Sequence, residues 1–138
     1  MTTALLSDRM EQARVLLRQR PTFAVVGASQ DREKYCHEVL EALWESGFKA
    51  IPINPKYAEI DSQPCYPALA ELPQKPAVVV TAAPASVSEK IAKTCAALEI
   101  PFFWMPPGTE TDIALEICRR TGVTAIYGFC PVFLLKTL

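Results

Sequence analysis

Gly27-Ala28-Ser29-Gln30, with Arg32 close behind, follows the apolar run Phe23-Ala24-Val25-Val26 and leads into a helix-period stretch, so chemistry is expected there first. A strand that turns through a glycine toward a helix gathers backbone N–H groups and a helix N-terminus at one point, which suits a phosphate anion. Gly27 permits a tight turn and close approach, Ser29 offers a hydroxyl, and Arg32 adds a forked cation that matches phosphate oxygens. The alternative is an ordinary strand-to-helix turn with a solvated Arg32. A dinucleotide fingerprint would need further glycines where Ser29 and Arg32 stand, so an ordinary NAD site is strained.

Two other segments bear on the same anion. Asn54-Pro55-Lys56 closes a second strand, and an NAD-binding sheet usually carries an acid at that tip to hold the ribose hydroxyls. Asn54 followed by Lys56 tolerates a phosphate near the ribose instead, which points to CoA or NADP and away from NAD. A solvated Lys56 is the competing reading. After a third strand, Ala83 and Pro84 offer a small apolar wall suited to a flat adenine. Ser86, three residues before Glu89, is expected to cap the next helix and leave its other N–H groups for a ligand. Cys130 is the one cysteine at a strand tip, a reactive thiol or inert packing, with no base or cation assigned to it. His37 has no partner at a hydrolase spacing, so no catalytic residue is named.

The elements that must position these groups alternate along the chain. A helix is expected over about 8–19, opened by Asp8 with Glu11 three residues on and stopped by Pro21. Strands are expected over 23–26, 49–53, 77–81, 101–105 and 124–127, the third a β-branched run suited to burial on both faces. Helices are expected over about 34–46, from Ser86 on, and around Asp112–Cys118. Such alternation predicts an α/β, three-layer Rossmann-like domain: an open parallel five-stranded sheet, order 3-2-1-4-5, with helices on both faces. Ligands bind outside the carboxyl ends of such strands, where the order reverses.

Composition sets the bounds. The 138 residues fit a single domain over 1–138, and 50% hydrophobic with 21% charged residues reads as globular. Fourteen Lys+Arg against 15 Asp+Glu give a net charge of −1, which leaves no global pull toward nucleic acid or membrane. Met1–Asp8 lacks the pattern of a signal peptide, so a cytoplasmic location is expected. Five widely spaced cysteines and one histidine suggest neither a disulfide framework nor a metal site, and Cys36, Cys95 and Cys118 fall on apolar helix stripes. Val132–Leu135 reads as a last packed segment or a self-association surface, and a homodimer is the favoured partner.

Val25-Val26-Gly27-Ala28-Ser29, Gly47-Phe48-Lys49-Ala50-Ile51-Pro52-Ile53-Asn54-Pro55-Lys56, Cys65-Tyr66-Pro67-Ala68-Leu69 and Cys130-Pro131 together resemble the small single-domain CoA-binding proteins. These are similar to the N-terminal CoA-binding domain of the succinyl-CoA synthetase α subunit. The resemblance covers about Phe23–Pro131 and implies a Rossmann-like domain holding CoA or an acyl-CoA. It places the pyrophosphate at Gly27-Ala28-Ser29-Gln30, Lys56 near the nucleotide phosphates, and Ala83 and Pro84 along the nucleotide. The synthetase's phosphorylated histidine belongs to a second domain with no counterpart here, so catalysis is not implied. The chain departs from the small-protein pattern at Thr81-Ala82-Ala83-Pro84, Pro106-Pro107 and Gly128-Phe129. The expected function is a non-catalytic binding or regulatory module, with an NADP-dependent small oxidoreductase, a nucleotide-sensing domain or a CoA-linked enzyme using Cys130 as alternatives.

Overall fold

The computed structural model describes residues 5–138; Met1–Ala4, part of the stretch read for a signal peptide, lie outside the described residues. In chain order the elements are α1 (Leu6–Arg18), β1 (Phe23–Val26), α2 (Tyr35–Glu45), β2 (Ala50–Ile53), β3 (Glu59–Ile60) and β4 (Gln63–Pro64). A 3-10 turn at Leu69–Glu71 precedes β5 (Val78–Thr81), α3 (Ala85–Ala97), β6 (Phe102–Met105), α4 (Asp112–Thr121), β7 (Thr124–Tyr127) and α5 (Pro131–Lys136).

Five strands form the expected open parallel sheet, in the order β2-β1-β5-β6-β7. Numbering only these five along the chain, that is 2-1-3-4-5, which corrects the expected 3-2-1-4-5. The outer edge of β2 is already taken: Tyr66 forms a parallel bridge to Ile53, giving its N–H to Pro52 at 3.1 Å and accepting from Asn54 at 2.9 Å. β5 therefore pairs with the other side of β1, Val26 opposite Thr81. The reversal point moves with it. It lies between β1 and β5, where the expected order would have put the tip of β6 beside β1.

Alternating strand residues feed two cores. Phe23, Val25, Val78, Val80 and Trp104 pack with Leu17 of α1, Val39, Leu40 and Leu43 of α2, and Leu134 of α5. Ala24, Val79, Phe103 and Met105 pack with Ile91 and Cys95 of α3 and Ala114 and Cys118 of α4. The central β5 is buried along its length, as its β-branched run predicts. Val132 and Leu134 are buried while Phe133 is 52% exposed, so most of that last segment is packed.

Two helix starts differ from expectation. α1 begins at Leu6 with no side-chain cap, which puts Asp8 in the first turn, where its charge complements the helix dipole. α3 begins at Ala85, with Pro84 at the N-cap and no side-chain cap bond, so Ser86 sits inside the first turn. Its hydroxyl does not cap the helix, because the chain enters it two residues earlier.

Candidate functional site

The tips of β1 and β5 meet at the reversal point. Gly27 has φ +85°, and a Cβ there would stand 3.0 Å from Ala83 N and 3.2 Å from Ala82 C, so only glycine lets the two backbones approach this closely. Gly27 and Ala28 both give their N–H to Ile53 O, at 3.0 and 3.3 Å, and thereby tie the turn to β2. These two N–H groups serve the sheet. Asp31 N donates to Ser29 Oγ at 3.0 Å, and among the described residues the N–H groups of Ser29 and Gln30 have no protein acceptor.

Asn54 braces the turn from the neighbouring strand. Its Nδ2 donates to Ala28 O at 2.8 Å, while its Oδ1 accepts from Lys56 N at 2.9 Å. An aspartate could not make the first of these bonds, so the chain needs an amide where NAD-binding sheets carry an acid.

A three-part cleft runs over these strand tips. The middle part, about 510 Å³, is lined by Gly27, Ser29, Asn54, Lys56, Ala83 and Pro84, all expected, together with Lys34, Tyr35, Cys36, Tyr57 and Ala82. It shares Gly27 and Asn54 with a largely apolar part of about 560 Å³, walled by Val26, Ile53, Pro67, Leu69, Val87 and Ile91, with Lys90 and Thr94 at its edge. On the other side it shares Tyr35 and Ala82 with a third part of about 310 Å³, completed by Pro106, Pro107, Thr109 and Cys130. No aspartate or glutamate lines any of the three.

Four expected site residues stand apart from the cleft. Ala28 is buried behind the turn, and Ser86 is exposed outside the lining. Gln30 donates to Glu59 O at 2.8 Å, and Arg32 faces Asp61 at 3.7 Å with its side chain 72% exposed. Both reach toward the β3–β4 hairpin, whose two turn residues Asp61 and Ser62 have φ +49° and +67°. His37, fully buried on α2, fastens the same hairpin: its Nε2–H donates to Asp61 Oδ2 at 2.8 Å, and its Nδ1 lies 3.5 Å from Glu41.

The ionisable groups of the cleft suit binding better than proton transfer. Burial, the hydrogen bond to Cys130 and the nearby charges of Cys130 and Glu38 push the Tyr35 phenol well above its ordinary range, so it stays protonated, and its hydroxyl shares a hydrogen bond with Cys130 Sγ at 2.6 Å. Burial likewise pushes the Cys36 thiol up, partly offset by N–H donors, Lys34 and Ser29. Among the described residues no three His, Cys, Asp or Glu side chains stand together as a metal site needs. No helix there is long and apolar enough to cross a membrane.

Sequence reasoning missed the apolar part of the cleft. Val87 and Ile91 carry a visible helical spacing, but that spacing reads equally as core, and only the placement of Pro67–Ala70 over the β2 tip turns their end of α3 into a wall.

Residues 21–136 match the model of a CoA-binding domain family. The chain belongs to that CoA-binding domain family. A conserved hypothetical protein of Pyrococcus furiosus superposes with a TM-score of 0.77 at 32% identity, over 81% of this chain and 97% of that one. A hypothetical protein of Pyrococcus horikoshii superposes with a TM-score of 0.90 at 24% identity, over 100% of this chain and 98% of that one, and shows the shared fold. An ADP-forming acetate–CoA ligase of Archaeoglobus fulgidus is 31% identical over 72 residues, 52% of this CoA-binding domain protein but 10% of the ligase.

Proposed function

We propose that this chain holds CoA, or an acyl-CoA, by its nucleotide and pyrophosphate, as a binding or regulatory module that does not turn it over. The order of the cleft carries this reading. A polar section with Lys34 and Lys56 lies between two sections with apolar walls, and no acid lines any of them. CoA has that same sequence of parts: a flat adenine, charged phosphates, then a long neutral arm ending in sulfur. Adenine fits against Val26, Ile53, Leu69 and Ile91 in the first section. The phosphates fit the middle one, facing Lys56 and the N–H group of Ser29. The thiol or acyl end reaches toward Pro106, Pro107 and Cys130.

The binding-only part rests on what lines the cleft. General acid–base work needs a group poised near the operating pH, and neither histidine nor carboxylate is present there, while Tyr35 and Cys36 are held protonated. A soluble cytoplasmic setting and a homodimer remain the expected context. A thermal-shift panel of CoA, acetyl-CoA, NADP, NAD and ATP tests the reading. CoA and acetyl-CoA should raise Tm; a rise with NADP alone would overturn it, and steady turnover of acetyl-CoA would overturn the binding-only part.

A further inference from the structure

We infer that Lys90 is a specificity-determining residue, reading a phosphate on the ribose of the bound adenine nucleotide; the inference rests on the CoA reading above. Lys90 is the one charged residue lining the largely apolar section. Three side chains there carry polar groups, and two are already committed within the protein. Asn54 is bonded to Ala28 O and Lys56 N, and the Thr94 hydroxyl donates to Lys90 O at 3.0 Å.

The Lys90 ammonium is not committed in this way. Among the described residues it takes part in no ion pair, and its sequence neighbour Glu89 is held by Lys93 at 3.2 Å. An exposed lysine is usually solvated, but this one stands at the rim of an apolar section of about 560 Å³ with no acid in its lining. With the ring in that section and the pyrophosphate in the middle section, the ribose lies at their shared boundary, Gly27 and Asn54. A phosphomonoester on that ribose then has two candidate cations, Lys56 on the middle side and Lys90 on the apolar side.

Division of labour follows from position. Lys56 lines only the middle section, where it meets charge that every nucleotide diphosphate carries. Lys90 lines only the apolar section, where charge is present only if the ribose is phosphorylated. Losing Lys56 should therefore weaken all such ligands alike, and losing Lys90 should weaken only the ribose-phosphorylated ones.

The test measures affinities of CoA, 3′-dephospho-CoA, NADP and NAD for wild type, Lys90→Gln, Lys56→Gln and, as a charge control on the same helix, Lys93→Gln. Wild type should prefer CoA over 3′-dephospho-CoA by on the order of ten- to a hundred-fold, the range of a charge-assisted contact. Lys90→Gln should abolish that preference and leave 3′-dephospho-CoA affinity unchanged, while Lys56→Gln and Lys93→Gln keep it. A preference that survives in Lys90→Gln, or is absent in wild type, overturns the role of Lys90 and leaves the CoA reading standing. Failure of wild type to bind either CoA form overturns both. A Lys90-dependent preference for NADP over NAD, without CoA binding, keeps the role of Lys90 and overturns the CoA reading.

Discussion

Two strand tips begin alike and end differently. β1 runs through Gly27 into Ala28-Ser29, and β7 runs through Gly128 into Phe129-Cys130, both glycines at positive φ, +85° and +94°. At Gly27 the close neighbours are backbone atoms of the adjacent tip, Ala82 and Ala83, and the cleft opens above them. At Gly128 the neighbour is Arg9 of α1, whose Nη1 would lie 3.0 Å from an added Cβ. Arg9 donates to Tyr127 O at 2.8 Å and stacks its guanidinium 4.2 Å from the Tyr127 ring centroid. One tip faces two strands that diverge in connection, and the other lies at the sheet edge under a helix. The same strand–glycine signal opens a cleft directly above its glycine only where topology keeps that space clear, and the β7 tip reaches the cleft only through Cys130, two residues on.

The largest effect is expected from Gly27→Ala. The added Cβ meets the Ala82–Ala83 backbone of the adjacent tip at a left-handed φ, so the variant should lose about 1–3 kcal/mol of stability and all measurable CoA binding. Chemical denaturation and calorimetric titration check the two parts separately. Asn54→Asp should come next. It removes the donor to Ala28 O and sets a negative charge beside the phosphates, with about 1–3 kcal/mol lost in stability and a further loss in CoA affinity.

Lys56→Ala should weaken CoA by about 1–3 kcal/mol with little change in Tm, because the side chain lies at the surface of the cleft. Gly128→Ala reverses that pattern. Arg9 is a flexible side chain that can yield, so the left-handed φ sets the cost, about 1–2 kcal/mol of stability, with CoA affinity intact. Equal loss of binding from Gly27→Ala and Gly128→Ala would erase the distinction between the tips.

The effect that is smallest at neutral pH belongs to the α3–α4 layer. Burial pushes the Cys95 thiol up to about 12 and the Cys118 thiol up to about 11, from an ordinary 9.0. Between pH 9 and 11 the unfolded chain has released these protons and the folded chain still holds them. Stability therefore falls as pH rises through that window, and Cys95→Ala should flatten the fall in a pH series of denaturation curves.

How much of this was legible in the sequence follows from what each feature depends on. The alternation of elements, the glycine at the β1 tip and the buried run of β5 are local, and the structure keeps them. Strand order was not legible, since it turns on Tyr66 taking the outer edge of β2 from within an irregular, Pro-rich connection. The same connection explains Gln30 and Arg32: nothing local to their turn announces that Glu59 and Asp61 will stand opposite them. His37 was equally opaque, because its partner Asp61 lies 24 residues away on a two-residue hairpin turn without glycine. Lys90 and the apolar section were hidden for a different reason, since a helix stripe looks the same in sequence whether it meets a core or a ligand.

Calorimetric titration of the purified chain with CoA tests the central claim most directly. The account predicts one CoA per chain, with affinity that falls as salt is raised because Lys34 and Lys56 meet the phosphates, and no heat for NAD under the same conditions. A chain that gives no heat with CoA or acetyl-CoA, or that binds NAD as well as it binds CoA, would contradict it.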